Sequence, residues 1–319
     1  MYDVVALGEL LIDFASQSTD QAGYPTMAAN PGGAPGNFLA ALNQYGAKTA
    51  FLGKVGDDTF GHLLLGTLSA AGIETRGVVV DPSVFTTLAF VTFSPDGDRS
   101  FSFARKPGAD TCLTCEELDL SLIDETRAFH FGTLSLTDEP VRSATQKAVA
   151  YAKEHGKLIT FDPNLRLPLW KDEQEAKQQM EWGLRQADVV KISDNEVEFL
   201  WGLDEIAGGE KLLKEYGVQL AMVTLGPNGS YLVNQNGSTH VPCPPVKPID
   251  TTGAGDIFGG SAVSRVLQYD KAPRDLTPDE LTAIASFAST AASLSTQVRG
   301  GIPSIPTQEQ VLAFLNQHK

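Results

Sequence analysis

The chain has 319 residues, 42% of them hydrophobic, and a formal net charge of −15 from 39 acidic and 24 basic residues. That length supports one large or two modest domains with a sizeable core, and the acidic balance argues against nucleic acid as a partner. Three cysteines, an odd and low count, exclude a disulfide framework and suit a reducing, cytoplasmic setting.

Taken in chain order, "MYDVVALGEL" lacks a basic leader and a long apolar stretch and reads as a first core strand, not a signal peptide. Apolar runs at 3–9, 49–56, 128–134, 157–163, 187–193 and 220–226 read as buried strands, rich in Val, Ile, Leu and Phe. Helical periodicity fills 36–46, 59–72, 139–155, 174–186 and 208–216, then 254–268, 277–297 and 307–317. Strands alternating with helices imply right-handed crossovers and a mainly parallel sheet. Two segments break the rhythm. Residues 13–31 are polar, with Gly, Pro and Ser, and residues 86–105 alternate around "SPDGD", a hairpin signal. Together they predict a small antiparallel sheet beside the main one, a candidate lid. Cys112 and Cys115 form a C-x-x-C with no second pair, and they read as small residues before a helix start rather than a zinc site. No window approaches a membrane-spanning length.

The stretch "DTTGAGDIFGGSAV" (250–263) carries the chemistry. Gly253, Ala254 and Gly255 precede the apolar run that begins at Ile257, so the loop feeds a helix N-terminus. Free backbone N–H groups and the positive dipole end make such a place an anion hole. Asp256 sits at its mouth. A carboxylate there makes sense as a base that takes a proton from a hydroxyl attacking a phosphoryl group, while the amides hold the developing charge. The alternative is an ordinary N-terminal helix acid. The glycine spacing is wrong for a dinucleotide fingerprint, and no Walker A motif is present.

"DTTGAGDIFGGSAV" resembles the C-terminal signature of the ribokinase-like (PfkB) carbohydrate kinases, and "PGGAPGNFLAALNQYGAKTAFLGKVGDDTFG" (31–61) resembles their N-terminal one. Within the family, "FARKPGAD", "FHFGTLSL", "FDPNLRLPLW" and "KISDNEVEFL" are most similar to bacterial fructokinases. The resemblance implies a Rossmann-like α/β/α sandwich with a mainly parallel central sheet. Its core is expected at 1–12, 32–85 and 106–319, with a small β-sheet lid from 13–31 and 86–105. It also implies ATP and Mg2+ as cofactors and a small sugar as substrate, with no membrane partner and a homodimer formed through the lid.

Residue by residue, the resemblance makes Asp256 the catalytic base and the amides of Gly253, Ala254 and Gly255 the anion hole. Asp13, Gly32, Gly33 and Asn37 become sugar contacts; from the residues alone, Asp13 is equally a loop acid and Asn37 a helix cap. Phe101, Phe103 and Arg105 alternate, so they share one strand face, and the resemblance closes that face over the sugar. Arg166 lies just past a strand end, where α/β folds place ligands, or else in a surface salt bridge. For the nucleotide the resemblance assigns Lys191, Asn195, Glu198, Thr224, Gly226 and Gly229, with Glu198 ordering Mg2+ through water. Without it, Asn195 is a helix cap, Glu198 a solvated acid and "GPNG" a plain hairpin turn. A K+ site is implied at Asp250, Thr252, Ser295, Gly300 and Ser304.

Lys106 and Gly108 depart from the fructokinase pattern, which has a neutral residue and a serine there. An extra cation beside Arg105 would suit an acidic sugar, so 2-keto-3-deoxygluconate kinase is the alternative to fructokinase, followed by ribokinase or riboside kinase. A catalytically silent sugar-binding protein is the reading from a different class, and the intact Asp256 loop argues against it.

Overall fold

The computed structural model describes residues 1–93 and 99–317, with side chains for all of these except 92, 93 and 99–101. The expected "SPDGD" turn at 94–98 lies outside the described residues.

The chain runs β1 (Tyr2–Leu7), β2 (Leu11–Thr19), β3 (Pro25–Gly32), α1 (Ala34–Gln44), β4 (Thr49–Gly56), α2 (Thr59–Ala70), β5 (Glu74–Asp81), β6 (Thr87–Phe93) and β7 (Arg99–Ala104). It continues with α3 (Leu120–Asp124), β8 (Thr126–Gly132), α4 (Val141–Glu154), β9 (Leu158–Asp162), α5 (Glu173–Gln186), β10 (Val189–Ser193), α6 (Asp194–Trp201) and α7 (Glu205–Tyr216). Then come β11 (Leu220–Thr224), β12 (Ser230–Asn234), β13 (Gly237–Val241), α8 (Ala254–Val266), α9 (Pro278–Ser295) and α10 (Gln308–Gln317).

Among the described residues, nine strands form one sheet in the order β13-β12-β11-β10-β9-β8-β1-β4-β5. Pairing is parallel from β11 through β5 and antiparallel at β12 and β13. Helices cover both faces, so core strands are apolar on both. In β1, Val5 and Leu7 join the core shared with α4, α5 and α7, while Val4 and Ala6 join the core shared with α1, α2, α8 and α9. That two-sided burial is why the core strands read as continuous apolar runs. It also makes the molecule an α/β/α sandwich, as expected.

Strand order reverses at β1, which lies between β8 and β4. Doubly wound sheets bind ligands outside the carboxyl ends of the strands at such a point. Two excursions leave that same edge. β2 follows β1 and β6 follows β5, so both start in the same direction and pair in parallel. β3 and β7 return antiparallel to them, giving the separate sheet β3-β2-β6-β7. Its strands begin at Leu11 and Thr87, slightly off the predicted 13 and 86.

On this sheet Phe14 stacks on Phe90 at 5.4 Å and meets Phe60 of α2 edge-on at 5.5 Å. The period-two alternation then turns Leu11, Asp13, Ala15 and Gln17 to the opposite face, which lines the main cleft. β5, β12 and β13 were not expected from the sequence. The "GPNG" turn does join an antiparallel pair, β11 and β12. Among the described residues no helix is long and apolar enough to cross a membrane.

Candidate active site

The cleft between the small sheet and the carboxyl edge of the large one encloses about 380 Å³, within the usual size for small-molecule sites. Its floor is the N-terminus of α8. Gly253 caps that helix in the left-handed region, φ 75°, without a side-chain cap, so the first amides stay free to face a ligand. A Cβ on Gly253 would stand 3.1 Å from the Gly301 Cα, and one on Gly255 would stand 3.0 Å from Lys191 Nζ. The positive φ favours glycine at 253, and a side chain at 255 would press on the Lys191 ammonium.

Asp256 follows on the first helical turn. Asn37 donates from Nδ2 to its Oδ2 at 2.9 Å, and Asn164 donates from Nδ2 to its Oδ1 at 3.3 Å. Aiming Asn37 this way leaves its own Oδ1 buried without a donor, an uncommon expense in a folded protein. Enclosure by protein raises the Asp256 pKa above the usual carboxylate value; the Asn37 amide, Lys191 and Arg166 oppose the shift.

The opposite wall is the Gly32–Gly33 turn. A Cβ on Gly32 would overlap the Asp13 carboxylate, and one on Gly33, at φ 118°, would overlap the Glu9 carbonyl. Glu9 accepts from the Ala34 N–H at 2.8 Å and so fixes the start of α1. Burial pushes Glu9 up to about 7. It also pushes Asp13 up to about 6, against the pull of Arg166. Arg166, Phe103 and Arg299 complete the rim, and Arg299 donates to Gln17 across the cleft at 3.0 Å.

Beneath the loop, Lys191 pairs with Asp162 at 3.1 Å. Burial pulls the lysine down, but the carboxylates of Asp162, Glu196 and Asp256 outweigh it and keep the ammonium charged. Lys191 thus sets a fixed positive charge directly under the anion hole. Thr224 ends β11, and Gly226 and Gly229 flank a short turn, both at positive φ. Asn195 and Glu198 lie exposed at the start of α6. These residues occupy the neighbouring strand ends and do not line the cleft around Asp256.

Asp250 accepts from the Thr252 N–H and hydroxyl at 3.0 and 2.7 Å and from the Gly300 N–H at 3.0 Å, so the implied cation residues Asp250, Thr252 and Gly300 converge. The Ser295 and Ser304 hydroxyls bond carbonyls of their own turns. Among the described residues no cluster of three or more His, Cys, Asp or Glu is arranged to hold a metal.

Arg105 needs correction. The chain leaves β7 at Ala104, so strand alternation does not carry Arg105 to the face of Phe103. It is buried with Asp110, 2.7 Å away, and donates to Thr137 and the Leu134 carbonyl. A Cβ on Gly108 would press into Thr87, which itself bonds Asp110, so glycine there follows from this ion pair. Lys106 is exposed. The Phe101 side chain lies outside the described side chains. Sequence reasoning missed Glu9, Asn164 and Glu196; the only signal for Asn164 was its place in "DPNLR", two residues past a strand end.

A model of the pfkB family of carbohydrate kinases matches residues 1–308. Fructokinase-2 of Solanum lycopersicum is 40% identical over 317 residues, covering 98% of this chain and 95% of that protein. The solved fructokinase of Xylella fastidiosa with bound ATP superposes with a TM-score of 0.90 at 29% identity, covering 100% of this chain and 99% of that one. A double mutant of the Vibrio cholerae O395 fructokinase, bound to fructose, ADP and potassium, gives 0.86 at 30% identity, covering 98% of each chain.

Proposed function

The chain belongs to the pfkB family of carbohydrate kinases, and on that premise we propose that it transfers the γ-phosphoryl group of ATP to the 6-hydroxyl of D-fructose. The observation that carries the reading is Asp256, held by two amides at the mouth of a glycine-rich helix N-terminus. The hydroxyl oxygen forms the new bond to phosphorus as the bond from phosphorus to the bridging oxygen of ADP breaks. The hydroxyl proton passes to Asp256. The amides of Gly253, Ala254 and Gly255 and the charge of Lys191 oppose the negative charge that develops. Asp13, Gly32, Gly33, Asn37 and Arg166 would hold the sugar, and the small sheet, acting as a lid, would keep water from the phosphoryl group.

Lys191, Thr224, Gly226 and Gly229 would line the nucleotide side. Asn195 and Glu198 would order Mg2+ through water, an exposed oxygen-bearing pair that fits a hydrated cation; Mg2+ neutralises phosphate charge when bound. The all-oxygen set Asp250, Thr252, Ser295, Gly300 and Ser304 fits a hard monovalent cation such as K+, whose charge would add to the positive potential that the α8 N-terminus offers an anion.

An acidic sugar is the weaker reading. Arg105 is buried against Asp110 and does not line the cleft, where, among the described residues, the four carboxyl groups of Glu9, Asp13, Asp250 and Asp256 outnumber the two arginines, Arg166 and Arg299. The test is ADP release with Mg-ATP and a panel of fructose, 2-keto-3-deoxygluconate, ribose, glucose and fructose 6-phosphate. Fructose should lead; turnover led by 2-keto-3-deoxygluconate would overturn the substrate and keep the mechanism.

Asp13 gives a pH prediction. It accepts a sugar hydroxyl more strongly when ionised, and its pKa is raised to about 6. KM for fructose should therefore rise as pH falls through about 6, and Asp13→Asn should raise KM at every pH and flatten that dependence. A wild-type KM independent of pH across this window would remove Asp13 from the sugar site.

The free edges β3 and β7 of the small sheet suit pairing between copies. A homodimer through this sheet is expected, and light scattering showing only monomer would dismiss it. The three cysteines are all unpaired, consistent with a cytoplasmic enzyme.

A further inference from the structure

We infer that Asn164 is a positioning residue for the base, one half of a two-amide clamp that holds both oxygens of Asp256; the inference rests on the kinase reading above. Asn164 is the one described non-glycine residue with positive φ, at 44°. Such backbone is strained for a side chain, and observed strain points to a local purpose. The cause of the strain is visible on either side. The Asn164 N–H donates to Asp162 Oδ1 at 3.1 Å, and the next N–H, of Leu165, donates to Glu196 Oε1 at 2.8 Å. Glu196 is itself locked as the capping-box acid of α6, accepting from the Ser193 N–H and hydroxyl at 2.8 and 2.9 Å. Two buried carboxylates from different elements therefore pin consecutive amides.

The pinned backbone leaves the Asn164 side chain one useful direction, into the cleft and onto Asp256 Oδ1. Asn37 reaches the other oxygen from α1, on the far wall. Each amide takes one lone pair of its oxygen, which leaves the carboxylate a fixed plane and one preferred direction for the incoming hydroxyl. Asn37 stands on the first turn of α1 and Asn164 on the strand-end loop that also carries Arg166. The base is thus oriented from both walls, and orientation of this kind acts on the chemical step more than on binding.

The discriminating variant is Asn164→Gly, which keeps both pinned amides and relieves the left-handed strain. We expect an unchanged or higher thermal midpoint, unchanged KM for fructose and ATP, and kcat lowered by about 10-fold, the scale of one hydrogen bond to a charged group. A second readout needs no turnover. Asp256 faces Asn37, Lys191, Arg166, Asp13 and Asp162, and the lost donor should raise its titration midpoint, read by 13C NMR of the carboxyl and assigned by its absence in Asp256→Asn. Asn164→Asp, which sets a second acid beside the base, should raise it further. Unchanged kcat together with an unchanged carboxyl titration overturns the clamp, as does a loss confined to KM or to the thermal midpoint. A wild-type protein inactive on every sugar would refute the kinase reading alone, because the carboxyl titration still decides the clamp.

Discussion

Asp256→Asn lowers kcat for the favoured sugar by about 10²–10⁴-fold, the usual contribution of a positioned general base. The substitution changes one atom type and leaves the shape. Asparagine still accepts from Asn37, but it presents an amide nitrogen to one of the two clamping donors and cannot take a proton from the sugar hydroxyl. Stability should not fall. The folded carboxyl titrates above its ordinary value, chiefly because it is enclosed, so its ionisation costs folding free energy as pH rises from the unfolded value through the folded one. At neutral pH the neutral asparagine escapes that cost, and the thermal midpoint should hold or rise while turnover collapses. In the wild type, kcat should decline as pH drops below the raised midpoint of Asp256. A variant that keeps wild-type turnover would end its assignment as the base. One that loses turnover together with its fold would leave the enzyme reading to the pH profile.

The proposed base was legible in the sequence because its chemistry is local: glycines, an acid and the start of an apolar helix fall within a few residues. The core strands were legible for a related reason. β1, β4 and β8 to β11 are apolar on both faces because helices cover both. Half of the small sheet was legible from the alternation over 86–105, while 13–31 showed only as a polar interruption, since one face packs Phe14 and Phe90 on α2 and the other lines a polar cleft. β12 and β13 were missed because their five-residue segments are too polar to read as apolar runs: "SYLVN", though buried throughout, begins with Ser and ends with Asn, and "GSTHV" has one aliphatic residue. Roles that depend on tertiary neighbours could not be read. Asn164 matters only because Asp162 and Glu196 hold its backbone, and nothing in "DPNLR" announces a left-handed residue. Arg105 misled because two-residue spacing predicts a shared face only while the strand lasts.

Arg105→Met should destabilise the fold by about 3–5 kcal/mol, the range for breaking a buried ion pair by removing one partner. The guanidinium side chain is 2% exposed and that of Asp110 is 1% exposed. Burial alone would lower the arginine, yet Asp110 holds its pKa above the ordinary value, so the guanidinium is charged in the folded chain. Methionine keeps much of the volume and removes every donor. It strands the Asp110 carboxylate, apart from the Thr87 hydroxyl, and leaves the Leu134 carbonyl and Thr137 with only the bond between them. Replacing Asp110 by leucine in the same chain should recover part of the loss, because the uncompensated charge is then gone. Chemical denaturation measures both. KM for fructose in the folded fraction should stay near the wild-type value, since Arg105 does not line the cleft. The opposite pattern, intact stability with a large rise in KM, would return Arg105 to the sugar site and reopen the case for an acidic substrate. The substrate question thus turns on a residue whose sequence position suggested a contact and whose surroundings make it a strut.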